Sequence, residues 1–365
     1  MNIIIFIVVL IVLIVVHEVG HFIAAKISRM RVDEFGLGYP PRAMIIGKIG
    51  DTILSLNWLP FGGFVKIFGE DGGGEGSRAF TARPRILQAF VLISGILMNL
   101  LFAYVLITSA LVAGTPRALS QNEIVGAQNM ELAVAAVIPN SPAAQAGLLP
   151  GDSILSAEDG HYAFSGADPS AFTKFVSDGV GNTTIALSVR HPSGEKVLLF
   201  ARPIKGVVPS DPSRAALGVE VATIGMVPLS LGEAVVQGAT LTWATITETA
   251  SGLWHFFYGI FTFSADLSQV SGPIGIAGVV GSASAQGFGY LLSIIAVISI
   301  NLALINLIPV PALDGGRLLF VIIEGIIRRP IKASVAQTVN AIGFALLILL
   351  MLIVSAHDIF KIVGQ

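Results

Sequence analysis

The clearest chemistry in this sequence lies in five consecutive residues, His17-Glu18-Val19-Gly20-His21. On a helix, positions four apart lie one turn above each other, so the two imidazoles project from one face. At that spacing they can bind one zinc ion, and the glutamate beside the first can hold the attacking water. The motif follows an unbroken apolar run over residues 3–16 and is continued by Phe22, Ile23, Ala24 and Ala25 before the first basic residue, Lys26. Such a segment is long enough to cross a bilayer. Ionisable groups at membrane depth are costly and usually functional. The plainer alternative is a pair of helix-facing histidines satisfied by their neighbours. No basic residue precedes the run and no small-x-small site follows it, so it is expected to stay as a span and not to be a removed leader.

A hydrolytic zinc site takes three protein ligands and leaves one position for water. The third ligand must come from elsewhere in the chain and reach the same depth. A later apolar stretch ends in Asn306-Leu307-Ile308-Pro309-Val310-Pro311-Ala312-Leu313-Asp314-Gly315-Gly316-Arg317. Its two prolines break the helix, and Asp314 follows them. By the topology below, this span runs inward and brings Asp314 to the level of His17 and His21. The alternative is an ordinary helix N-cap. His357 and Asp358 fall near the far end of the last span, and Glu248, His255 and Glu324 lie outside the spans, so all five compete poorly as ligands.

These residues need a frame that holds them in a membrane, and the composition supplies one. The chain is 54% hydrophobic and 12% charged, with a net charge of -2. A charged share well below the usual ~25% points to a multi-pass membrane protein. No Lys/Arg-rich run suggests nucleic acid. Cysteine is absent, which excludes disulfides and thiolate metal ligands. Besides the first span, residues 86–113, 290–310 and 341–356 are long and apolar enough to cross. Basic residues cluster between the first two spans, from Lys26 to Arg85, and between the last two, at Arg317, Arg328, Arg329 and Lys332. Both clusters are expected on the cytoplasmic side, with the termini and residues 114–266 on the other. Residues 231–263 open on a Ser230-x-x-Glu233 capping box and repeat large apolar residues at helical spacing. We expect a helix lying at the outer interface, the alternative being a fifth span that would misplace one basic loop.

The expected fold is a mainly α-helical multi-pass membrane protein of four spans, with a small membrane-associated β-sheet and one α+β domain outside the cytoplasm. Four parts follow: residues 1–113 (first span, β region 31–70, second span), a soluble domain 114–205, a linker and interfacial helix 206–266, and residues 267–365 (third span, cytoplasmic loop, fourth span). In the β region, short strands at 42–46, 52–57 and 63–67 are separated by Gly and Pro. That stretch is too apolar for a free loop, so a sheet dipping toward the site and buried in protein is expected. Residues 70–76 are glycine-rich but acidic and lack Gly-Lys-Ser/Thr, which favours a linker over a phosphate loop. Residues 133–138, 184–190 and 196–201 read as strands of the soluble domain, with His161 and His191 at its surface.

The domain's run Ser141-Pro142-Ala143…Ala146-Gly147-Leu148…Gly151-Asp152-Ser153-Ile154 resembles a PDZ domain. Such a domain binds an added peptide strand at a sheet edge; alternatively, it only packs over the membrane part and restricts access. With His17-Glu18-x-x-His21 in the first span and Leu313-Asp314-Gly315 in a later one, the chain resembles the site-2 protease family, and within it the bacterial regulator-of-sigma-E protease type. Further matches are Phe61-Gly62-Gly63-Phe64-Val65-Lys66, Gly69-Glu70-Asp71, Phe80 with Arg83-Pro84, Ser271-Gly272-Pro273-Ile274-Gly275-Ile276-Ala277 and residues 301–317. The family usually has Gly-Pro ahead of an Asn in the second span, where this chain has Gly95-Ile96-Leu97-Met98-Asn99.

The resemblance implies an intramembrane zinc metalloendopeptidase of the bacterial inner membrane. It would cut in or near the spans of single-span membrane proteins, such as anti-sigma factors or signal-peptide remnants. In that reading Zn2+ is held by His17, His21 and Asp314, and Glu18 moves the proton. Asn301 and Asn306 would bind the extended substrate backbone, and the sheet around Gly62 and Gly63 would pair with it; the alternative for both asparagines is helix–helix hydrogen bonding. A different class of function, a non-catalytic metal-binding membrane protein or PDZ adaptor, has no use for a base between the histidines.

Overall fold

A computed structural model describes residues 2–70, 76–119, 123–124, 126–178, 183–192, 194–208, 211–262 and 272–363. Sixteen-residue and longer apolar segments with almost no charge become long helices. Among the described residues four are long and apolar enough to cross a membrane: α1 (Asn2–Ile27), α2 (Arg85–Ala113), α7 (Phe288–Leu307) and α9 (Ala333–Val363). The last is much longer than the 341–356 stretch read from hydropathy, because the polar residues on both sides of it continue the same helix. The chain divides into two compact units, one of residues 1–110 and 231–365 and the other of residues 111–230.

In the first unit, α1 is followed by β1 (Val32–Ile49) and β2 (Thr52–Ile67), which fold into a small sheet. Residues 32–37 form its centre, with 63–67 on one side and 53–56 on the other; residues 42–49 then pair outside 52–57. The inner half packs on α1: Phe35 meets Phe22 edge to face, and Lys26 donates to Thr52. The outer half differs from the expectation of burial in protein. Met44, Ile45 and Ile46, on the 42–49 edge of the sheet, are exposed, and so is Trp58 of β2. A row of polar side chains crosses one face, where the Glu34 carboxylate accepts from Arg42 Nε at 3.0 Å and from Ser55 Oγ. Of the acidic glycine-rich stretch, residues 71–75 lie outside the described residues.

Helix α5 (Leu231–Phe261) leaves Leu231, Val236, Trp243, Trp254 and Tyr258 exposed along its length. Its Gly238 lies against Thr108 of α2, and Tyr104 of α2 donates to Val235 O. Helix α6 (Pro273–Gln286) packs on α1 through Val280 and Ile276 beside Val9 and Leu13. After α7 the chain turns into α8 (Asp314–Ile327).

In the second unit, a seven-stranded sheet carries β3 (Pro116–Ala118), β9 (Val219–Met226), β4 (Gln128–Val137), β5 (Ser153–Glu158), β7 (Ile185–Arg190) and β8 (Lys196–Ala201) in that order, with β6 (Ala163–Ser165) on β5. Helices α3 (Pro142–Gln145) and α4 (Pro169–Asp178) cover its core of Leu132, Ile154, Phe172, Leu187 and Leu217. β9 corrects the domain boundaries: residues 219–226 were expected in a linker, but they form an interior strand between β3 and β4. Alternation in Val219, Val221 and Thr223 carries that strand, and the nearby prolines hid it. His161 is exposed. His191 is not simply a surface residue, because its Nδ1 lies 2.6 Å from the fully buried Asp152 carboxylate.

Candidate active site

Helix α1 presents His17 and His21 on one face as the four-residue spacing requires. Their Nε2 atoms are 3.2 Å apart, and Oδ2 of Asp314 lies 2.9 Å from the first and 3.1 Å from the second. The side chains of His17 and Asp314 are 12% and 16% exposed, and that of His21 is 10%. Among the described residues this is the cluster of His, Cys, Asp and Glu donors that could hold a metal.

Asp314 reaches the cluster by a tight reversal after α7. Ala312 adopts a positive φ of 75°, uncommon for a residue with a Cβ, and its N–H donates to Asn340 Oδ1 of α9 at 3.2 Å. Gly315 lies against the Leu307 and Ile308 carbonyls, and Gly316 against that of Val310. A side chain at either position would strike backbone, so the two glycines after Asp314 let α8 begin directly under the end of α7. Arg317, one turn into α8, bonds Glu70 at 2.7 Å.

On the opposite side, α2 closes the cluster. A Cβ at Gly95 would meet the His21 and His17 rings, and one at Gly20 would meet the Ser94 carbonyl. These glycines let α1 and α2 cross closely enough for imidazoles to occupy the gap. His21 Nδ1 donates to the Val91 carbonyl at 2.8 Å, which leaves the lone pair of Nε2 directed at the cluster. The Asn99 amide lies 3.4 Å from His17 Nδ1. Gly20, Gly95 and Asn99 were not singled out as site residues from the sequence. Spacing gave one signal: Gly95 and Asn99 are four apart and share a face of α2.

The donors fit zinc. Tetrahedral ligands about 2.0–2.1 Å from the ion stand roughly 3.3 Å apart, close to the 2.9, 3.1 and 3.2 Å separations here. With Nε2 unprotonated on both rings, the two lone pairs and the carboxylate repel one another at this range unless a cation lies between them.

The remaining expected site residues fall as follows. Glu18 sits beside the cluster with its Cγ 3.2 Å from where a Cβ on Gly63 would be. Gly63 is buried and Gly62, with φ 98°, partly exposed. Among the described residues the 63–67 edge pairs only with 32–37. Asn301 and Asn306 lie partly exposed on α7, and Asn301 donates to Val297 O in its own helix at 2.9 Å. Three of the competing ligands are engaged elsewhere: Asp358 accepts from Gly275 N–H, Glu324 pairs with Arg85, and His255 bonds Ser251 O.

Comparison with known proteins gives the same chemistry. Residues 5–350 match the model of peptidase family M50. A protein of Clostridium perfringens is 33% identical over 95% of both chains. One from Nostoc sp. is 32% identical over 95% of this chain and 93% of its own. One from Clostridium acetobutylicum is 30% identical over 98% and 97%. Each is named "Putative zinc metalloprotease". The chain belongs to peptidase family M50, the site-2 proteases, and is a multi-pass membrane zinc metalloprotease.

Proposed function

We propose that this protein is an intramembrane endopeptidase that cuts peptide bonds in or beside the spans of single-span membrane proteins. The observation that carries the reading is a base next to a three-donor metal cluster inside an apolar helix. Glu18 adjoins His17, His21 and Asp314 in a segment with the composition of a span. His17, His21 and Asp314 would hold the zinc. When bound, zinc polarises the scissile carbonyl and makes a water nucleophilic near neutral pH. Glu18 takes the proton from that water and delivers it to the leaving amine.

A substrate helix hides its carbonyls in hydrogen bonds, so it must be extended before cleavage. The open 63–67 edge supports strand addition, because it offers backbone partners and ends at Gly63 beside Glu18. Asn301 and Asn306 on α7 are proposed to hold the other side of the extended backbone. The residue 111–230 unit is assigned as a PDZ-like domain on the extracytoplasmic side of a bacterial inner membrane. A cavity of about 710 Å³, lined by Val137, Phe172, Val176 and Leu217 among others, supports a peptide-binding role for it. The basic loops after α1 and α8 support that orientation. Anti-sigma factors and signal-peptide remnants are the substrate types this architecture suits.

The test uses purified protein in detergent with a single-span substrate. Wild type cleaves it; Glu18→Gln and chelator-treated protein do not, and Glu18→Gln retains its zinc. Cleavage by Glu18→Gln at the wild-type rate would contradict the proposal.

A further inference from the structure

We infer that Asn99 is a positioning residue: its side-chain oxygen accepts the Nδ1 proton of His17 and so fixes the tautomer in which His17 can bind the metal. The inference rests on the zinc reading above. An imidazole that offers Nε2 to a cation must carry its proton on Nδ1. For His21 the partner of that proton is plain, since Nδ1 meets the Val91 carbonyl at 2.8 Å. For His17 the group facing Nδ1 is the Asn99 amide at 3.4 Å.

Asn99 is 1% exposed, and its Oδ1 is buried without a hydrogen-bond partner. A buried oxygen left unpaired costs about 1–3 kcal/mol. The two ends of an amide have nearly the same shape, so their assignment follows from the hydrogen bonds available. A half-turn of the amide places Oδ1 opposite Nδ1, pairing the oxygen with the ring N–H and moving the NH2 to the place the oxygen held; the Nδ1–H tautomer that leaves Nε2 free for a metal selects this orientation. His17 and His21 are then oriented alike, each by one carbonyl oxygen from α2. The backbone at Asn99 is held as well, because its carbonyl accepts from the buried Ser299 hydroxyl of α7 at 2.8 Å. That bond fixes where the amide starts. Asn99 therefore touches the metal site only through His17, and its contribution is to affinity and ring orientation.

Outer-sphere partners of this kind typically change metal affinity about 10- to 100-fold. The full-length protein in detergent is titrated with Zn2+ and Co2+ against a competing chelator, for wild type, Asn99→Leu and Asn99→Asp. Asn99→Leu, matched in size but with no acceptor, should bind about 10- to 100-fold more weakly. In its Co2+ form it should lose the slowly exchanging Nδ1–H resonance of His17 and keep that of His21. Asn99→Asp keeps the acceptor without the NH2 and should bind within a few-fold of wild type, with both resonances present. Equal affinity of Asn99→Leu and wild type would overturn the proposal. So would a tenfold loss in Asn99→Asp, which decides the matter even if Asn99→Leu does not fold. Wild type that fails to bind either metal would instead refute the zinc reading.

Discussion

Adding one methyl group at Gly95 tests whether the α1–α2 crossing exists to make room for the two imidazoles. An ideal Cβ there would stand 2.5 Å from His21 Nε2, 2.8 Å from His17 Cε1 and 2.9 Å from His21 Cε1. Comfortable contacts begin near 3.5 Å, so the rings must retreat by roughly 0.6–1.0 Å. Metal–ligand distances tolerate only about 0.2 Å. Separating the helices instead would give up the close packing of Gly20 against α2 at the Ser94 carbonyl. Gly95→Ala should therefore lower zinc occupancy, measured as metal per protein after gel filtration. A misplacement of that size also costs about 100-fold in rate. Weakening of α2 is not an explanation, since alanine favours a helix over glycine by about 1 kcal/mol. Gly278→Ala on α6, where no atom lies within 4 Å of the new Cβ, serves as the control and should leave both quantities unchanged. Full occupancy and rate in Gly95→Ala would refute the reasoning.

Three further outcomes follow from other contacts. Gly20→Ala puts a Cβ 2.5 Å from the Ser94 carbonyl and 2.9 Å from Gly95 Cα, and overpacking of this kind should lower stability by about 1–3 kcal/mol, read as a fall in Tm. The Asp358 carboxylate accepts from Gly275 N–H at 2.9 Å and so caps α6 from α9; Asp358→Ala should cost about 1 kcal/mol and speed amide exchange at Gly275, while Asp358→Asn recovers most of the loss. Glu131 is raised by partial burial, but hydrogen bonds from Arg190 and Ser153 more than offset this and hold its carboxyl below the usual range. Its folded value is the lower one, so the stabilisation is present above the unfolded value and is lost as pH falls through the folded one. Glu131→Gln should therefore be less stable than wild type at pH 7, with the gap closing in acid; a gap independent of pH would count against this.

Much of this architecture was legible in the chain because the membrane makes patterns blunt. A run such as residues 3–16, with no charge at all, can form little except a span. His17 and His21 stand out against it for the same reason. The approach of Asp314 was legible from the two prolines that end α7 and from the direction the basic loops impose. Contacts that depend on the absence of a side chain were not legible. Gly20 and Gly95 work by leaving space, and among 40 glycines composition does not mark which ones touch a neighbouring helix. Asn99 entered the sequence reading only as the asparagine of a second-span pattern, because the ring it faces is 82 positions away in sequence. β9 was missed for a different reason: eight residues of alternation between prolines carry little signal until β3 and β4 supply hydrogen-bond partners on both edges.

X-ray absorption at the zinc edge of the purified protein tests the central claim most directly, because it sees the ligands themselves. The account predicts one zinc per chain, two imidazole nitrogens and oxygen donors at about 2.0–2.2 Å, with no sulfur, and loss of the ion in His17→Ala and Asp314→Ala. A spectrum without the two-imidazole pattern, or an Asp314→Ala protein that keeps its zinc with an unchanged shell, would contradict it.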